Sequence, residues 1–99
     1  MDKTTEEKFQ EFHQSNPHVY NRMVELTRSL VDKGHRKVGI SMIFEVLRWQ
    51  HLLETDDPNS KYKLCNNYKP YYSRLIMAQE PELDGVFDTK KLFKRRRGL

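Results

Sequence analysis

Asn66, Asn67, Lys69, Ser73 and Arg74 cluster in one stretch of the chain, KLCNNYKPYYSRLIMAQ, residues 63–79. Side chains of these types donate to and accept from base edges and phosphate oxygens, so their chemistry is that of nucleic-acid contact. At helical spacing Lys69, Ser73 and Met77 share one side, with Arg74 on the flank. Tyr68, Tyr71, Tyr72, Leu75, Ala78 and Gln79 fall on the other side. Asn66 or Asn67 suits an N-cap, and Pro70 falls in the first turn, where its missing N–H costs little. A polar front on an apolar back describes an ordinary surface helix equally well. It also describes a recognition helix entering the major groove.

Other chemistry is poorly provided for. His13, His18, His35 and His51 are scattered, and Cys65 has no Cys or His at ligand spacing, so no metal and no cofactor is expected. Cys65 precedes a helix start, which can activate a thiol, but a lone cysteine beside Leu64 reads first as a packed apolar residue. Asp56 and Asp57 lie in TDDPN, a turn composition. No phosphate loop, nucleophile elbow or paired-carboxylate pattern occurs, so the chain does not read as an enzyme.

The charge is unevenly divided. The 99 residues carry +4 overall. Residues 1–60 hold 8 Lys+Arg and 10 Asp+Glu, or −2, whereas residues 61–99 hold 10 and 4, or +6. That asymmetry favours an anionic partner, nucleic acid before an acidic protein. The chain is 36% hydrophobic and 32% charged, polar but with enough aromatic and periodic apolar residues for one modest core. No apolar run nears the ~20 residues of a membrane span. The acidic opening MDKTTEEKFQ is no secretion signal. One cysteine rules out an internal disulfide and fits the cytoplasm.

The elements that would position the basic stretch follow from caps and periods. Residues 4–14 read as a helix capped by Thr4 or Thr5, with Phe9, Phe12 and His13 as its docking stripe. Asn16 and Pro17 open a second helix that runs to about Lys33. Its stripe is Tyr20, Met23, Val24, Thr27, Leu30 and Val31, and Gly34 ends it. Residues 35–40 suit one small strand. Ser41 caps a third helix, about 42–54, with Ile43, Val46, Leu47, Gln50 and Leu53 inward and Met42 and Trp49 widening that face. Residues 55–61 form a loop, and Tyr62–Cys65 a brief extended segment. After the fourth helix, Glu80-Pro81 breaks the chain, and Gly85–Phe93 reads as a hairpin. The fold expected is mainly α, a small α+β winged helix-turn-helix-like domain over residues 1–93, with four helices and a C-terminal β-hairpin. Residues 94–99 form a basic tail. The connection of about ten residues between the two motif helices is longer than a simple helix-turn-helix uses.

FQEFHQSNPHVYNRMVELTR, FEVLRW and KLCNNYKPYYSRLIMAQEPEL resemble a family of small, mostly uncharacterised proteins of bacteriophages and prophages. The resemblance covers nearly the whole chain. It implies a phage setting inside a bacterial host cell and supplies no activity.

Two functions are expected from different classes. The first is nucleic-acid binding, duplex DNA favoured, by a small regulator-like protein. Asn66, Asn67, Lys69, Ser73 and Arg74 would face the groove, Lys90 and Lys91 would lie on the wing, and Lys94, Arg95, Arg96 and Arg97 would follow the phosphates. The second is a protein-interaction module that docks on and inhibits a host or defence protein. Trp49, Tyr71 and Tyr72 are the aromatic types that dominate such interfaces. The oligomeric state is not legible in the sequence.

Overall fold

The computed structural model of the chain describes residues 3–56 and 64–87. Among them are four α-helices: α1 (Thr5–Ser15), α2 (Pro17–Asp32), α3 (Ile40–Glu54) and α4 (Lys69–Gln79). Single 3-10 turns, Asn66–Tyr68 and Pro81–Leu83, lead into and out of α4.

Local chemistry sets the ends of the first two helices. Thr4 caps α1 through a reciprocal pair: its hydroxyl accepts the Glu7 N–H at 3.1 Å, and the Glu7 carboxylate accepts the Thr4 N–H at 2.8 Å. Pro17 opens α2, where the lost N–H was unpaired anyway. Asn16 stands at the cap position but does not cap α2. Its side-chain amide donates to the Phe12 carbonyl at 2.9 Å and closes α1 instead. Gly34, at φ 103°, ends α2 as expected. Its N–H reaches the Val31 carbonyl and the His35 N–H reaches Leu30, which is the Schellman arrangement.

The core joins the four helices. Phe9 of α1 enters it with Val19, Tyr20, Met23 and Val24 of α2. Ile43, Phe44 and Leu47 come from α3, and Tyr72 and Ile76 from α4. The stripe expected on α2 is inward, with Leu30 and Val31 half-buried at its end. On α1 only Phe9 is buried, while Phe12 and His13 are half-buried. Thr27 is buried too. Its hydroxyl donates to the Met23 carbonyl at 2.8 Å, so that buried hydroxyl is not stranded.

The expected winged helix-turn-helix with a C-terminal β-hairpin is overturned. No strand or sheet forms among the described residues, and the chain after α4 does not turn back on itself as far as it is described. After the 3-10 turn and Gly85, Val86 and Phe87 plunge into the core. There Phe87 forms one isolated parallel bridge with Val38, and the Val38 N–H donates to the Val86 carbonyl at 2.9 Å. The physical reason is that consecutive apolar residues satisfy themselves by burial. A half-exposed hairpin would instead place them on opposite faces. The small strand expected over residues 35–40 likewise reduces to Val38. Residues 88–93 of the hairpin, with Lys90 and Lys91, lie outside the described residues, as do Lys94, Arg95, Arg96 and Arg97 of the tail.

Helix α3 also departs from expectation. Gly39 is its N-cap residue, and Ser41 lies inside the helix. Its buried side is Ile43, Phe44 and Leu47. Val46 is half-buried, and Met42, Trp49 and Leu53 face outward.

Candidate functional site

The entry to α4 is built by α3. Phe44 is fully buried against the Tyr72 ring, at 6.1 Å between centroids. Two cations converge on its ring, the Arg48 guanidinium and the Lys69 ammonium, each 5.7 Å from the centroid. Arg48 also donates to the Leu64 carbonyl at 2.9 Å, to Asn66 Oδ1, and to Glu45 at 2.8 Å. Lys69 Nζ donates to Ser41 Oγ at 3.1 Å. These bonds anchor the segment in front of α4 to α3 and fix where the helix begins.

The face α4 shows to solvent differs from the one expected. A 3-10 turn at residues 66–68 leads into the helix. Tyr68 is buried in line with Tyr72 and Ile76, but Ala78 and Gln79 of the expected stripe are exposed. The buried side of α4 is Tyr72, Ser73 and Ile76, with Lys69 half-buried beside them. Ser73 is only 2% exposed, which removes it from any groove-facing surface. Met77 is half-buried. The exposed edge is Pro70, Arg74, Ala78 and Gln79. Neither asparagine caps α4 through its side chain, because Tyr68 occupies the cap position and Asn66 is engaged by Arg48. Asn67 remains exposed.

Of the residues expected to meet nucleic acid, then, Asn67 and Arg74 reach solvent, Asn66 and Lys69 are tied to α3, and Ser73 is inside. Arg74 lies 5.3 Å from the Tyr71 ring centroid. The aromatic trio expected at a protein interface is also split. Trp49 is exposed, Tyr71 is half-buried on Phe9, and Tyr72 is wholly buried. Cys65 is exposed rather than packed. His13 lies in an aromatic cluster, stacked on Phe9 and edge-on to Tyr20 and Tyr72. His18 and His51 line a hollow between α2 and α3, and His35 is exposed.

A second network, not legible in the sequence, ties α2 to the end of α4. The Tyr20 hydroxyl donates to Glu80 Oε2 at 3.1 Å. Arg28 pairs with Glu80 Oε1 at 2.5 Å and also with Glu82. Burial, then the hydrogen bond to Glu80 and its negative charge, push the Tyr20 phenol from 10.0 up to about 12, against the lowering effect of Arg28. The neutral phenol is thus favoured in the folded chain. Its contribution to stability is whole below pH 10 and is lost as pH rises through about 12. Alkaline titration followed by tyrosinate absorbance, wild type minus Tyr20→Phe, should give one group with a midpoint near 12. A midpoint near the ordinary value would show that the Glu80 bond does not persist in solution.

The network also redistributes charge. Residues 61–99 contain four acids, Glu80, Glu82, Asp84 and Asp88, and Arg28 occupies two of them. In the acidic part of the chain, Lys3, Arg22 and Arg48 are likewise paired with carboxylates. Helix α4 carries Lys69 and Arg74, contains no acid, and makes no ion pair among the described residues.

Among the described residues no helix is long and apolar enough to cross a membrane. The chain matches no family model, no curated protein and no solved structure.

Proposed function

We propose that this chain binds nucleic acid, duplex DNA by preference, through phosphate contacts made by its basic C-terminal part. The observation that carries the reading is the charge arrangement. The +6 of residues 61–99 stands beside the −2 of the rest, and Arg28, shared between Glu80 and Glu82, offsets one of the four negative charges on the basic side. Within that part, α4 carries two cations and no carboxylate. Its contribution is positioning along the backbone more than base reading, since Ser73 is buried and Asn66 is held by Arg48. Arg74 and Asn67 are the groups offered from the described residues, followed by Lys90, Lys91 and Lys94, Arg95, Arg96 and Arg97. The resemblance to phage proteins supports a setting in the cytoplasm of a bacterial host.

Binding to a duplex of arbitrary sequence, measured across a salt series, tests the reading. The affinity should fall steeply with salt. Arg74→Ala should reduce the slope of log affinity against log salt by about 1, and deleting residues 94–97 by about 0.9 for each phosphate those side chains neutralise. Both changes should act about equally on all sequences. Absence of duplex binding at low salt would end the proposal and leave docking on a host protein in its place.

A further inference from the structure

On the reading that this chain binds nucleic acid, we propose that the turn between α2 and α3, residues 33–37, is a second phosphate-contact surface, with Arg36 as its leading group. The turn belongs to the acidic part of the chain. Residues 1–60 hold 8 Lys+Arg, of which Lys3, Arg22, Arg28 and Arg48 are paired with carboxylates. Of the rest, which make no ion pair among the described residues, Lys8 is on α1. The other three, Lys33, Arg36 and Lys37, fall within five residues, all exposed.

The fold fastens this turn beside the start of the basic C-terminal segment. Gly34 closes α2 at φ 103°, and the His35 N–H donates to the Leu30 carbonyl at 3.1 Å. At the other end, Lys37 Nζ donates to the Gly85 carbonyl at 2.9 Å, and the Val38 N–H to the Val86 carbonyl at 2.9 Å. Val38 and Phe87 form a parallel bridge, so the two segments pass that point in the same direction. In the sequence Phe87 precedes the segment that carries Lys90, Lys91 and residues 94–97. The turn therefore adjoins the described end of the chain from which the proposed phosphate contacts continue.

Two of the three cations have a use within the fold. Lys37 serves the Gly85 carbonyl, and Lys33 stands at the negative end of α2, where a cation stabilises the helix. Arg36 has neither use. It lines a shallow hollow with His35, Glu82, Asp84 and Gly85, and Glu82 there is held by Arg28. Asp32, next to Lys33 in the chain, and Asp84 offset two of the three charges, so the turn stays positive. A planar guanidinium matches phosphate in bidentate geometry. Because the backbone on both sides is already fastened, the chain needs no ordering to present it.

Titration of the full chain with a duplex of arbitrary sequence, across a salt series, provides the test. Arg36→Ala should weaken binding and reduce the slope of log affinity against log salt by about 0.9, the counterion release of one phosphate contact. Lys33→Ala combined with Arg36→Ala should reduce it by up to about 1.8. Both side chains are exposed, so the helical circular dichroism should not change. Lys8→Ala removes the same net charge and should leave the slope as it is. Steep salt-dependent binding that Arg36→Ala does not alter overturns the role of the turn and leaves the nucleic-acid reading standing. An equal loss from Lys8→Ala overturns it too, by showing that only total charge matters. A chain that binds no duplex at low salt ends both.

Discussion

Phe44→Ala should cost about 3–5 kcal/mol, the range for deleting a buried aromatic side chain. Phe44 is completely buried at the meeting point of α3 and α4, and its ring has three partners of two kinds. It packs on Tyr72, and it receives the positive ends of Arg48 and Lys69. Truncation leaves a cavity that the neighbouring helices cannot fill without moving, and it also removes the surface on which the two cations rest. Arg48 and Lys69 keep their bonds to Leu64, Asn66 and Ser41, so the loss should be mainly of packing. Urea unfolding should report a lower midpoint with little change in slope. A loss below about 1 kcal/mol would show that the packing of α3 on α4 does not hold the fold together.

Phe9→Ala should be of similar size, about 3–5 kcal/mol by the same rule, but with a different signature. Phe9 is the only buried residue of α1. It lies edge-on to Tyr72 at 4.8 Å, stacks on Tyr71 at 5.2 Å, and approaches Tyr68 at 5.9 Å. An 11-residue helix is marginal alone in water, even with the capping box that Thr4 and Glu7 give it. Without its anchor α1 should leave the body, and its amides should exchange with solvent well before those of α2. If α1 and α2 amides lost protection together, α1 would be an integral part of one cooperative unit and not a docked segment.

The two residues were not equally visible in advance. Phe9 stands in a clean i, i+3, i+4 stripe on an otherwise charged helix, so its inward direction follows from the residues alone. Helix α2 is the same case on a larger scale. Pro17 at its start, Gly34 beyond its end and one continuous apolar stripe agree with each other, and the structure keeps all three. Phe44 is the opposite case. Apolar residues surround most of α3, and period alone cannot choose a direction when two sides are hydrophobic. The choice falls to the neighbours: Tyr72, Arg48 and Lys69 fit around Phe44, and Trp49 and Leu53 are left outside.

Local residue chemistry by itself therefore determined the existence of four helices, the ends of α1 and α2, the stripe of α2 and the division of charge between the two parts of the chain. Those features depend on interactions within a few residues, or on composition. Tertiary structure alone decided the rest. The packing of α4 against α2 and α3 put Ser73 inside. Burial of Val86 and Phe87 against Val38 replaced the expected hairpin up to the last described residue. Arg28 reached Glu80 and Glu82 across more than fifty residues of chain. Each of these depends on which surfaces meet in space, and side-chain spacing along one helix carries no information about that.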